Sequence, residues 1–138
     1  MGERQLHLFR GKRQQGERIP SPKEFNTHVA LVSLLRHSLS PNWMFTHIAS
    51  GEKRDPVTAS RLKAMGVNPG WPDLIFVGPD RHTFWLELKR EGGRASEQQK
   101  TVGAGLRACG HDYLITDSIE LAVEALRARG IVRARVAA

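Results

Sequence analysis

The chain has 138 residues, 40% of them hydrophobic and 25% charged, which fits one compact domain with one modest core. No apolar run approaches the roughly 18 residues of a membrane span, and the single Cys109 excludes an internal disulfide framework or a cysteine zinc site. Lys plus Arg number 21 against 14 Asp plus Glu, a net charge of +7 that suits a nucleic-acid binder, although charge alone does not separate this from a ribosomal or membrane-surface protein.

Residues 1–20 are polar and basic and read as a mobile arm, with Leu6, Leu8 and Phe9 as docking points. They lack the apolar stretch of a signal peptide, so a cytoplasmic location is expected. Pro20-Ser21-Pro22 announces a helix: Ser21 as N-cap, Pro22 at the first helical position, and Glu24 placed as in a capping box. Phe25, Val29, Val32 and Leu35, with Leu31 and Leu34 alongside, keep helical spacing, so the helix spans about 22 to 38. Trp43–Ile48 reads as a strand, 49–55 as a polar loop, and 57–65 as a short helix ending at Gly66. After the turn Asn68-Pro69-Gly70 come two apolar runs, Leu74–Val77 and Thr83–Leu88, around Gly78-Pro79-Asp80-Arg81, a β-hairpin pattern. A second turn at Glu91–Arg94 leads to a helix from about 96 to 108 capped by Ser96, then a strand at Tyr113–Thr116 and a helix from about 118 to 129. The order predicts a small α/β domain with a mixed sheet and helices on its faces.

The hairpin carries charges that a core hairpin does not need. Asp73 opens its first strand, and Glu87 and Lys89 end its second. Strand residues two apart share a face, so Glu87 and Lys89 project together. A turn centred on Pro79-Asp80 sets Asp73 opposite Glu87, with their Cβ atoms about 5 Å apart. Carboxylates that close repel unless a proton or a cation lies between them. A hard divalent cation such as Mg²⁺ takes oxygen ligands of this kind together with substrate phosphate, and a neighbouring lysine offsets phosphate charge or moves a proton. Either string alone is common at a solvated strand end; their matched register is what points to phosphodiester hydrolysis.

These residues resemble the PD-(D/E)xK nuclease superfamily, and more closely its VRR-NUC branch, the virus-type replication-repair nuclease domain. The resemblance is carried by Gly51 and Arg54, by Leu62-Lys63-Ala64-Met65-Gly66-Val67-Asn68-Pro69-Gly70-Trp71-Pro72-Asp73-Leu74, by Glu87-Leu88-Lys89-Arg90, and by Ser96-Glu97-Gln98-Gln99-Lys100. It covers about residues 22–127. The fold it implies is a restriction-endonuclease-like α-β-β-β-α-β core with a short extra helix before the hairpin, over 21–130, followed by a short C-terminal tail over 131–138.

The resemblance implies a metal-dependent DNA endonuclease using Mg²⁺ or Mn²⁺. Asp73 and Glu87 match the metal-binding carboxylates, with the carbonyl of Leu88 as a further ligand, and Lys89 matches the catalytic lysine. Glu24 matches the first-helix acid of the metal site, and it is equally a capping-box acid. Gln99 matches the glutamine facing the site; Glu97 and Gln98 stand where the family has a proline and an acid. Lys53, Arg54 and Lys63 are candidate phosphate contacts or solvated charges. Trp71 belongs to the core or stacks near substrate, and His47 and His82 are left out of the metal site. Stand-alone domains of this size in the family occur in phages and bacteria, often as homodimers, which suits branched substrates such as four-way junctions. Two other readings stand beside this one: a catalytically silent DNA-binding module of the same fold, and a nuclease acting on RNA or single-stranded ends.

Overall fold

A computed structural model describes residues 22–49 and 54–134, with side chains in the first helix from Phe25 onward. The arm at 1–20, Gly51, Lys53 and the side chain of Glu24 therefore lie outside the described residues. The elements in chain order are α1 (Pro22–Ser38), β1 (Met44–His47), α2 (Pro56–Ala64), β2 (Leu74–Val77), β3 (Thr83–Leu88), α3 (Glu97–Ala108), β4 (Asp112–Thr116) and α4 (Ile119–Ala128). The strands form a single mixed sheet in the order β1-β2-β3-β4. The first three are antiparallel and β4 runs parallel to β3, which α3 makes possible by carrying the chain back across the sheet.

Alternation along β2 and β3 gives the sheet two unlike faces. Leu74, Phe76, Phe84, Leu86 and Leu88 point one way and meet Leu31 and Leu35 of α1 and Ala122, Val123 and Leu126 of α4. All five strand residues are buried, each contributing about 1.5–3 kcal/mol of apolar transfer. The apolar stripe of α1 is used only in part. Leu31 and Leu35 are fully buried, whereas Phe25 and Val29 stand 61% and 47% exposed, because the first turns of the helix project past the edge of the core. Ile131 and Val132 continue the domain beyond 130: both are buried in the core, and Val132 bridges to Leu39. Residues 135–138 of the expected tail lie outside the described residues.

The other face carries Trp85, Glu87 and Lys89, and α3 covers part of it. Gly103 of α3 sits directly on Tyr113 of β4, where an added Cβ would come within 2.4 Å of the ring, so only glycine lets the helix approach this closely.

The hairpin turn is shifted by one residue from its expected centre. Asp80 and Arg81 take left-handed conformations at φ 57° and 62°, and His82 N–H donates to Pro79 O at 3.1 Å. This is the backbone of a primed two-residue turn, in which polar residues tolerate positive φ. Gly78 N–H also donates to His82 O, so Gly78 and Pro79 together face one residue. That extra residue is a bulge. It cancels the shift, and the register remains Leu74↔Leu86, Phe76↔Phe84. One step further along the same register, Asp73 faces Glu87.

Candidate active site

Glu87 is the centre of the site. It is 4% exposed, and three groups donate to its carboxylate. Asp73 N–H reaches Oε2 at 3.0 Å, Gln99 Nε2 reaches Oε1 at 2.7 Å, and Lys89 Nζ lies 3.1 Å from Oε1. Burial first, and then the negative charge of Asp73, push the Glu87 carboxyl up to about 7 against the opposing pull of Lys89. Among the described residues the cluster holds two acids against one lysine. A cation shared by Asp73 and Glu87 would relieve that imbalance.

Each member is placed by a local feature of the chain. Asp73 lies just before β2, and its carbonyl accepts from Ile48 N–H at 2.7 Å and from His47 Nδ1 at 2.9 Å. A carbonyl only accepts, so Nδ1 of His47 carries the proton. Lys89 continues β3: its N–H donates to Thr116 O of β4 at 2.8 Å. In a trans peptide the preceding carbonyl points the opposite way, so Leu88 O is aimed at the β2 side, where Asp73 lies. The Leu88 side chain itself is in the core.

Gln99 does two jobs. It is the third residue of α3, and Ser96 Oγ accepts from Gln99 N–H at 3.2 Å while Gln99 Oε1 accepts from Ser96 N–H at 2.9 Å. This reciprocal capping box fixes the side-chain oxygen and leaves the amide nitrogen to hold Glu87. Gly70, at φ +91°, brings the turn before Trp71 onto the start of α3, where a Cβ would lie 2.7 Å from the Gln98 backbone. The helix start, the turn and the hairpin are therefore locked together at the acids.

The structure brings together Asp73, Glu87, Leu88 O, Lys89 and Gln99 of the expected residues. Arg54 instead donates to the carbonyl of Ala49. Lys63 is exposed on α2, a helix without buried residues, and is not part of the hydrogen-bonded cluster. His82 lies at the far end of β3, 3.5 Å from Asp112, and takes no part in the acid cluster. His47 is the residue that sequence reasoning missed. Its contact with Asp73 arises from pairing between β1 and the residues leading into β2, which no local motif announces, and it also meets His28 of α1 edge-on at 4.8 Å.

The donor set suits a hard cation bound largely by water and substrate oxygens. Two carboxylates are near neighbours with the Leu88 carbonyl aimed to the same side, and no group of three or more His, Cys, Asp or Glu side chains that would cage a metal occurs among the described residues.

The architecture is that of a known class. A solved structure titled "VRR_NUC domain protein" has this fold with a TM-score of 0.64 at 17% identity, covering 80% of this chain and 89% of its own. A second, titled "VRR_NUC domain", has a TM-score of 0.54 at 16% identity and covers 78% of this chain and 97% of its own. The chain has a VRR-NUC domain fold. No protein-family model matches the sequence, and no curated protein matches it. None of the described helices is long and apolar enough to cross a membrane.

Proposed function

We propose that the protein is a metal-dependent DNA endonuclease that hydrolyses phosphodiester bonds, selective for branched DNA such as four-way junctions. The observation that carries this reading is the buried Glu87, held between Asp73, Gln99 and Lys89 on a nuclease-type fold. A structural ion pair does not need a second acid that raises the first. The +7 net charge supports a polyanionic substrate held mainly through phosphates.

In this reading Asp73, Glu87 and Leu88 O hold Mg²⁺ or Mn²⁺, with Glu24 of α1 as a further acid. The ion supplies charge neutralisation at the cleaved phosphate and activation of water. Gln99 and the Asp73 N–H fix the Glu87 carboxylate so that its oxygens do not swing when the ion arrives. Lys89 sets its ammonium beside the same carboxylate, where it offsets phosphate charge and moves a proton to or from the attacking water. Lys53, Arg54 and Lys63 assist in holding phosphates. The protein acts as a homodimer in the cytoplasm of a bacterial or phage-infected cell, in DNA repair or replication, presenting two sites to two strands.

The test is cleavage of labelled four-way junction, flap and plain duplex DNA by wild type, Asp73→Ala and Lys89→Ala, each with Mg²⁺, Mn²⁺ or EDTA. Metal-dependent cutting of the junction, lost in both variants, is the expected result. Tight binding by wild type without cutting under either metal would favour a silent DNA-binding module.

A further inference from the structure

Two tryptophans stand beside the site acids, and nothing in the hydrolysis uses them. Trp71 precedes Asp73 by two residues and Trp85 precedes Glu87 by two. On β3 that spacing keeps Trp85 on the Glu87 face, about 7 Å along the strand. Trp71 comes over the same face, with its ring centroid 5.4 Å from that of Trp85 and the planes at 54°. Tyr113, the β4 partner of Trp85, continues the aromatic band inward beneath α3. Tyr113 is buried, whereas both tryptophans are only half-buried.

What Trp85 shows to the outside is ring rather than donor. Its Nε1 is buried and has no hydrogen-bond partner among the described residues. Positive charge lies close by in sequence, since exposed Arg90 and Arg94 occupy the turn between Lys89 and the Ser96 cap. Exposed aromatic surface on a basic protein suits a nucleobase stacked on a ring. A paired base hides both faces within the duplex, so only an unpaired base offers one to this surface.

We propose that Trp71 and Trp85 form a stacking platform for an unpaired nucleobase adjoining the phosphate at Asp73 and Glu87. The placement of that phosphate rests on the nuclease reading above. Among branched DNAs the platform favours those whose branch point leaves a base unpaired next to the cut, without reading which base it is.

The test compares binding, in EDTA, of a short oligothymidine strand, an abasic strand of the same length, and a fully paired duplex. The three differ in available base faces, and the first two carry equal charge. Wild type should bind oligothymidine roughly tenfold more tightly than the abasic strand. Trp71→Ala should erase that preference while leaving the abasic strand and the duplex unchanged within about twofold, and Trp71→Phe should retain most of it. Equal wild-type affinity for the thymidine and abasic strands would overturn the proposal, as would equal losses on all three DNAs in a folded Trp71→Ala variant. Cutting is not read, so the platform fails or stands separately from the nuclease assay.

Discussion

The two ends of β3 each hold a carboxylate among basic groups, and they differ in how that charge is compensated. At one end Asp112 of β4 takes Arg129 Nε at 2.5 Å and Nη2 at 3.0 Å, with His82 at 3.5 Å. Hydrogen bonding from Arg129 holds the Asp112 carboxyl below its usual range, against a smaller opposing effect of burial. At the other end Glu87 has donors as well, but burial and Asp73 outweigh them and raise it to about 7. Arg129 is anchored further by Ala125 O at 2.9 Å and lies 4.3 Å over the Phe84 ring, so this end is a finished structural pair. At the Glu87 end, among the described residues, Lys89 is the cation bonded to the carboxylate, and it does not offset burial and Asp73. In the proposed reading the cation binds at the end where the acid is raised rather than lowered.

The largest effect that would sharpen the contrast is on cutting. Lys89→Ala should lower single-turnover cleavage by roughly 10²–10⁴-fold, while Asp112→Asn should leave it within about twofold; comparable losses from both would erase the distinction between the two ends. Next in size is stability. Arg129→Ala should cost about 2 kcal/mol in urea unfolding, since it strands a half-buried carboxylate, and adding Asp112→Asn should cost little more.

The two acids should also give the metal-free protein opposite pH slopes. The folded carboxyl of Glu87 is raised from 4.5 to about 7, so its contribution to stability is complete below pH 4.5 and is lost as the pH rises through 7. Asp112 is lowered from 3.8, so its contribution is present above that value and is lost as the pH falls below it. Unfolding titrations should show Glu87→Gln flattening the upper limb and Asp112→Asn the lower. Divalent cation affinity should rise through pH 7 as Glu87 gives up its proton, and an affinity unchanged between pH 6 and 8 by calorimetry would contradict this.

Smaller effects test what holds the acids in place. Gln99→Ala removes both the capping box and the Glu87 clamp, and should cost about 1 kcal/mol of stability along with weaker metal binding. His47→Ala should weaken metal binding several-fold without unfolding the protein, and His47→Asn, which keeps a donor near the Nδ1 position, should recover part of it. Equal metal affinity in wild type and His47→Ala would remove His47 from the site.

The hairpin shows how much of this is legible in the sequence. Alternating apolar residues in two strands, with acids at matched distances from the turn, were enough to set Asp73 opposite Glu87, even though the turn is one residue from its expected place. The compensating bulge at Gly78-Pro79 depends on backbone conformations at Asp80 and Arg81 that no residue type dictates. Gln99 was findable twice over, from the resemblance and from its position three residues after Ser96. His47 was not, because strand pairing rather than spacing brings it to Asp73. The buried ends of the domain were also hidden: Leu31 rather than Phe25 faces the core of α1, and Ile131-Val132 belongs to that core, since both follow from where α4 and the sheet end. Asp55 reads as loop in sequence and is the N-cap of α2, accepting from Thr58 N–H at 2.9 Å.

The central claim is that Glu87 and its neighbours form a cation-dependent cutting site. Single-turnover cleavage of a four-way junction by wild type and by Glu87→Gln, at matched protein folding and in Mg²⁺ or EDTA, tests it most directly. The account predicts cutting by wild type in Mg²⁺ alone and none by Glu87→Gln, although that variant still binds the junction. Cutting by Glu87→Gln at the wild-type rate would contradict it.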